Sequence, residues 1–300
     1  MRDIDDKNSE RLAAFDEYRG LLLSVAYRML GSFADAEDML QETFLRFRQA
    51  PDEEIHNPRA FLLTIISRLC ITHLQSARVR REEYFGQWLP EPLVAVENMD
   101  PLGLLEIDET LSMAFLLMME RLTPVERATF LLREVFEFDY SEIASLVGEN
   151  EVNCRQIFRR AKQHVTTERP RFRSSPQKQQ DLLKRFLQAT GTGDMDGLLA
   201  LLSRDVVLYA DGGGKAIAVP NRIEGSGNVA RGIVGAMAKI VPPNLTTTIV
   251  TVNRMPGVVS YLGGKPFSVI AIAGDDEIDA IYLVTNPDKL SHISPLTETQ

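Results

Sequence analysis

Apolar residues recur at helical spacing through the first half of the chain and gather into short strand-like runs in its last third. Phe15, Leu22, Val25, Ala26 and Met29 mark a first amphipathic helix closed by Gly31. Ser32 caps a second, whose core stripe is Ala36, Met39, Leu40, Thr43, Phe44 and Phe47. After a polar loop from Pro51 to His56, Asn57-Pro58 opens a long third helix carrying Phe61, Leu62, Ile65, Ile66 and Leu69 and running on to Arg81. Helical spacing resumes from Leu104 to Arg121.

The strongest local signals follow. Thr123-Pro124-Val125-Glu126 combines a hydroxyl cap, a proline at the first helical position and a glutamate three residues after the cap. Asp139-Tyr140-Ser141-Glu142 repeats the capping pattern ahead of Ile143, Ala144 and Val147, and Gly148 ends that short helix. A further helix from about Asn150 buries Cys154, Ile157, Phe158 and Ala161. It leaves Asn153, Arg155, Gln156, Arg159, Arg160 and Lys162 outside. A short helix, a glycine turn and a helix with arginine and amide side chains outward is the signature of a helix-turn-helix. Arginine pairs with guanine, asparagine and glutamine pair with adenine, and the remaining cations hold phosphates. A solvated cationic helix face is the plainer alternative.

Beyond Thr166 to Gln180, a stretch with two prolines, the pattern changes. Leu182, Leu183, Phe186 and Leu187 suggest a helix and Asp196 to Leu202 another. Strands are expected at Val206 to Ala210, Thr246 to Val252, Val258 to Leu262, Phe267 to Ala273 and Ile278 to Val284. Helices followed by an antiparallel sheet imply an α+β domain.

Three hundred residues with 44% apolar content suit two or three domains. No apolar run approaches the length needed to span a bilayer, so a cytoplasmic location with no membrane partner is expected. Cys70 and Cys154 both fall on apolar helix faces and read as reduced core residues. The four histidines form no ligand cluster, and neither a metal nor any other cofactor is expected. A formal charge of -9 sits awkwardly with a DNA-binding helix, because duplex affinity comes mainly from neutralising phosphates. The basic residues are concentrated, however, at Arg155 to Arg173 and at Arg78-Val79-Arg80-Arg81. Weak binding by the free chain, with a larger partner supplying most of the affinity, reconciles the two.

Three ordered motifs carry a resemblance. Ala34-Asp35-Ala36-Glu37-Asp38-Met39-Leu40-Gln41-Glu42-Thr43-Phe44, then Asn57-Pro58-Arg59-Ala60-Phe61-Leu62, then Leu122-Thr123-Pro124-Val125-Glu126-Arg127 with its helix-turn-helix resemble regions 2 and 4 of sigma-70 family sigma factors. The subgroup is the extracytoplasmic-function (ECF) type. The resemblance implies two all-α modules, a region 2 bundle over 1–81 and a region 4 helix-turn-helix over 110–169, with connectors at 82–109 and 170–180. An α+β SnoaL-like cone domain would fill 181–300. Asp35, Asp38, Gln41 and Glu42 would dock on the beta-prime clamp of core RNA polymerase, and region 4 would lie at the beta flap. Promoter DNA would be read at -35 by Asn153, Arg155, Gln156, Arg159, Arg160 and Lys162. At -10 it would be read by Asn57, Arg59, Arg68, Thr72, His73, Gln75, Ser76 and Arg78.

Further stretches resemble marks of the ECF subgroup with a fused SnoaL-like domain: Trp88-Leu89-Pro90-Glu91-Pro92, Asp211-Gly212-Gly213-Gly214-Lys215 and Asn286-Pro287-Asp288-Lys289-Leu290. They make Trp88, Pro90, Asp211, Gly212, Gly213, Gly214, Lys215, Asn286, Pro287, Asp288 and Lys289 candidates for regulation. That regulation would run through an intramolecular contact between the C-terminal domain and the sigma core. A tight glycine hairpin and ordinary turn chemistry are the plainer readings of the last two stretches. A phosphate loop is excluded because Lys215 is followed by Ala216 and the required spacing is absent. Two other functions remain possible on sequence. One is a helix-turn-helix regulator binding an operator as a dimer. The other is a sensor or enzyme built on the cone, for which Asp205, Tyr209 and Asp211 are cavity candidates without a recognisable acid/base dyad.

Overall fold

A computed structural model describes residues 2–81, 84–95, 111–166 and 176–296. They group into two compact units, the described parts of Met1–Glu82 with Asp100–Arg169, and those of Glu83–Met99 with Pro170–Gln300.

The first unit is helical. Helix α1 (Arg2–Leu30) turns at Gly31, which adopts the left-handed φ of 66°, into α2 (Phe33–Gln49). Ser32 caps α2 by accepting the Asp35 amide. The far end of α2 is closed from α1, where Arg11 donates to the carbonyls of Phe47, Arg48 and Ala50 and pairs with Asp52. The Ala50 amide also donates to the Phe47 carbonyl, and one guanidinium adds a partner to several helix-end acceptors at once. A single 3-10 turn (Asp52–Glu54) leads to α3 (Pro58–Arg81), whose first turn is capped by Asn57. Leu22, Val25, Tyr27, Leu40, Phe47, Leu62, Ile66 and Cys70 form the bundle core. Burial raises the Cys70 thiol pKa, as expected of an inert core cysteine.

The same unit contains α4 (Met113–Met119), α5 (Pro124–Glu134), α6 (Tyr140–Val147) and α7 (Glu151–Thr166). Both capping boxes read from sequence are made: Thr123 with Glu126, and Asp139 with Glu142. Gly148 takes φ 76° at the α6 terminus, where its amide returns to the Ala144 carbonyl. Phe130 stacks on Phe158 at 5.9 Å, and Cys154 and Ala161 are fully buried. Helix α5 is buried all round, from Arg127 through Leu132. It packs on α6 and α7 and also on α1 and α3.

The second unit is an α+β domain. Strands β1 (Val94–Ala95), β2 (Leu202–Asp211), β3 (Ile223–Glu224), β4 (Thr246–Val252), β5 (Met255–Leu262), β6 (Lys265–Gly274) and β7 (Ile278–Val284) form one sheet. Their order is β1-β4-β5-β6-β7-β2-β3, antiparallel except for the β2/β7 pair. Irregularities in the β2, β5 and β6 pairings bend it. Helices α8 (Pro176–Thr192), α9 (Met195–Leu199) and α10 (Ser226–Lys239) cover one face. There Leu183, Phe186, Leu198 and Val229 meet Leu208, Ile272 and Ile281. Helix α11 (Pro287–Leu290) follows β7.

The helix expected to reach Leu202 stops at Leu199, because Leu202 already pairs with Ile278. Helix α10 is absent from the sequence reading, since its Gly227, Gly232 and Gly235 lower helical propensity and only packing of Val229 and Ala230 commits it. The stretch 104–110 lies outside the described residues.

Candidate functional site

Helix α7 presents one continuous outer face. Asn153, Arg155, Gln156, Arg159, Arg160 and Lys162 are all exposed. Three are held in place by acidic neighbours: Asn153 donates to Glu149 at 3.1 Å, Arg155 to Glu151 at 2.8 Å, and Lys162 to Glu134 at 3.0 Å. Arg155 also lies 4.8 Å from the Tyr140 ring. These exposed pairs contribute little stability.

On α2, Asp38 and Gln41 are exposed, while Asp35 and Glu42 are half-buried. Glu42 pairs with Arg46 at 2.7 Å, and Asp35 lies 3.6 Å from His73 on α3. The four sit opposite the buried stripe of Ala36, Leu40, Thr43 and Phe47.

The -10 candidates on α3 divide. Thr72, Gln75 and Ser76 are exposed, with the Thr72 and Ser76 hydroxyls returned to their own helix. Asn57 is the α3 cap, and the Arg78 side chain lies outside the described residues. Arg59 and Arg68 instead meet the helix-turn-helix module. The Arg59 guanidinium sits 4.7 Å over Phe138, and Arg68 donates to the Ser145 carbonyl at 3.1 Å and to that of Leu146 at 3.4 Å, at the end of α6. A cation at a helix C-terminus satisfies orphan carbonyls and the dipole together. The same seam holds Arg127 of α5, which donates to the Met29 carbonyl at 2.6 Å and to Glu120 at 2.7 Å. Burial pushes its pKa down to about 9, still above neutrality, so it enters the seam as a cation. Its Nε, the Ser67 hydroxyl of α3 and the Thr129 hydroxyl of α5 are buried without a hydrogen-bond partner.

In the second unit, three separated sequence stretches converge on Asp211. Its carboxylate accepts from the Tyr84 hydroxyl at 2.6 Å, the Leu89 amide at 2.8 Å, the Gly213 amide at 3.0 Å and Lys289 Nζ at 2.7 Å. Asp211 is fully buried and Lys289 nearly so. Lys289 Nζ also donates to the Leu89 carbonyl and stands 4.3 Å over the Trp88 ring. Asn286 donates to the Tyr84 hydroxyl at 3.0 Å and caps α11. Gly213, at φ 60°, has no room for a Cβ, which would fall 2.3 Å from Asn286; one at Gly212 would fall 2.3 Å from the Ala216 carbonyl. Lys215 pairs with Asp288 at 2.5 Å outside the cluster. Pro90 is buried, and Pro287 is exposed at the first position of α11. Burial, reinforced by the bond to Asp211, raises the Tyr84 pKa.

Residues 84–95 are thus fastened along the C-terminal domain. After the Asp211 cluster, His292 sets Nε2 2.8 Å from the Pro92 carbonyl and Nδ1 2.7 Å from Glu91. The Leu93 amide donates to the Asn253 side chain, the Asn253 amide returns to the Leu93 carbonyl, and Val94 pairs with Val252. Sequence reasoning missed Tyr84, Asn253 and His292 here. The only local hint was Asn253, a residue that tolerates the positive φ of 46° it takes in the hairpin turn, next to Arg254 at 62°. Asp205 is exposed, Tyr209 stacks on Tyr282 at 5.4 Å and Asp211 is consumed by Lys289, so the three cavity candidates form no acid/base group.

Residues 14–80 match sigma-70 region 2, and residues 112–165 match sigma-70 region 4. The chain is 35% identical over 298 residues to the ECF RNA polymerase sigma factor SigJ of Mycobacterium tuberculosis, covering 96% of this chain and 95% of that one. The chain belongs to the ECF sigma factors. This sigma factor is also 35% identical over 196 residues to the probable ECF sigma factor SigI of the same species, covering 65% of this chain and 67% of that one. The crystal structure of M. tuberculosis SigJ superposes with a TM-score of 0.78 at 32% identity, covering 95% of this chain and all of that one. Its helical sigma modules followed by an α+β domain are therefore a shared architecture. Sigma factors bind core RNA polymerase and promoter DNA and are not enzymes. No helix among the described residues is long and apolar enough to cross a membrane.

Proposed function

We propose that this sigma factor works in the cytoplasm, engaging the polymerase beta-prime clamp through Asp35, Asp38, Gln41 and Glu42. In this reading region 4 lies at the beta flap and reads -35 with the outer face of α7. The -10 element is met by Asn57, Arg59, Arg68, Thr72, His73, Gln75, Ser76 and Arg78 once Arg59 and Arg68 leave region 4. The cluster around Asp211 serves regulation by the C-terminal domain, acting on the sigma core within the same chain. The observation that supports this reading best is the exposure of all six α7 candidates on one face of a helix capped by Asn150.

Run-off transcription with core polymerase tests it. Asp38→Lys with Glu42→Lys should abolish transcript and polymerase co-elution without changing helicity, and retained co-elution would remove that face from docking. Arg159→Ala should weaken the -35 contribution by about 1–3 kcal/mol if the side chain is bidentate to guanine.

A further inference from the structure

The outer face of α7 has a centre and two flanks. Cys154, Ile157, Ala161 and Val165 are buried. At about 100° per residue, the line opposite them runs through Val152, Gln156 and Arg159, at i, i+4 and i+7. Asn153, Arg155, Arg160 and Lys162 lie to either side of it. Three of these flanking groups are tied to acids: Asn153 to Glu149, Arg155 to Glu151 and Lys162 to Glu134. The central line is an amide, a guanidinium and a valine.

Val152 is 65% exposed, the most exposed large apolar side chain among the described residues of the first unit. A lone apolar residue on a surface needs no special account, and Leu12 and Leu45 are exposed too. Val152 differs from them by where it stands. It is the second residue of α7, in the turn after Gly148, on a helix capped by Asn150. Its neighbours one turn along are Arg155 and Gln156, so no apolar side chain of that face covers it. A β-branched residue also loses rotamer freedom in a helix. Neither helix formation nor hydration of the free chain favours valine there.

In a helix-turn-helix, the N-terminal residues of the second helix meet base edges in the major groove. The apolar group displayed in that groove is the thymine C5-methyl. We infer that Val152 is a specificity-determining residue, whose side-chain methyls pack on the C5-methyl of a thymine in the -35 element. This rests on reading α7 as the -35 helix, and it adds a contact that the arginines and amides of that face do not make. Val152 and Gln156 stand about 6 Å apart along the helix axis, four residues at about 1.5 Å each. That is within two base-pair steps of about 3.4 Å. The thymine therefore lies within two pairs of the base that Gln156 meets.

The test uses holoenzyme assembled from the full chain and core polymerase, on a duplex promoter that this holoenzyme selects from a library randomised at -35. Each thymine of the element is replaced singly by deoxyuridine, which removes only the C5-methyl, and the half-saturating promoter concentration is measured. At one position the replacement should weaken wild-type binding about fourfold, the effect of one buried methyl-sized group. Val152→Ala should bind the thymine and deoxyuridine forms of that position equally, whereas Val152→Ile, which keeps the apolar branch, should retain the difference. The site is exposed and alanine favours a helix, so Val152→Ala is expected to fold. Wild-type binding indifferent to every replacement would overturn the inference, as would a Val152→Ala chain that keeps the methyl effect at the same position. A methyl effect farther than two pairs from the base whose discrimination Gln156→Ala loses would also overturn it. A holoenzyme that selects no sequence at -35 would instead overturn the reading of α7 itself.

Discussion

The chain contains two internal joints of opposite construction. Where region 2 meets region 4, the joint includes polar groups, and one is incompletely satisfied: a buried Arg127 bonded to the Met29 carbonyl but with one partnerless nitrogen, and Arg68 bonded to helix-end carbonyls. Where residues 84–95 meet the C-terminal domain, buried apolar side chains such as Leu89 and Leu93 alternate with polar contacts whose charges are matched. Asp211 has four donors, and Lys289 has a carboxylate, a carbonyl and two aromatic faces. Each buried polar group without a partner costs about 1–3 kcal/mol, whereas a satisfied network in a dry site rigidifies. The first joint has polar groups left unsatisfied, and the second has its charges matched.

Breaking the tight joint should have the largest effect. Asp211→Ala leaves Lys289 as a buried charge without its carboxylate, and the C-terminal unit should lose about 3–5 kcal/mol of stability. Denaturant unfolding followed by Trp88 fluorescence checks this, and a loss below 1 kcal/mol would mean the cluster is hydrated. Trp88 is the only tryptophan of the chain, so its emission reports this joint alone.

The first unit responds in the other direction. Ser67→Ala and Thr129→Val remove partnerless hydroxyls at nearly constant shape, and each should stabilise the closed first unit by about 1–3 kcal/mol. A closed unit that opens less often should show slower hydrogen exchange in α3 and α5 and less transcript. Faster exchange would show that the hydroxyls have partners in solution.

The smallest effect sharpens the tight joint. Tyr84→Phe removes one of the four donors to Asp211 and should cost about 0.5–1.5 kcal/mol. The raised Tyr84 pKa means the folded state holds its proton more tightly than the unfolded chain. That stability is fully present below the ordinary tyrosine value of 10.0 and is lost as pH rises beyond it. Tyr282 shifts the same way through burial, so the difference between wild type and Tyr84→Phe above pH 10 isolates the contribution of Tyr84.

The helical half was legible because its signals are local. Capping boxes at Thr123 and Asp139, the Gly148 terminus and the 3.6-residue spacing of Cys154, Ile157 and Ala161 lie within a few residues of what they control. The outer face of α7 followed directly from its inner one. Strand Ile278–Val284 and strand Thr246–Val252 were likewise read at their observed bounds. The α10 helix was not, since three glycines hid it and only the sheet beneath it gave Val229 and Ala230 a place to bury.

The sequence by itself determined the helices of the first unit, their caps and the cationic and acidic faces, because each depends on neighbours one or two turns away. The tertiary structure alone decided what the three motif stretches do to one another. Tyr84, Asp211 and Lys289 are separated by 127 and 78 positions, and no local rule pairs residues at that distance. Nor could spacing reveal that Arg59 and Arg68 turn toward region 4, since an exposed arginine and one closing a neighbouring helix occupy the same positions on an amphipathic wheel. Burial and partner geometry exist only once distant segments meet, and they are what left one joint incompletely satisfied and the other matched.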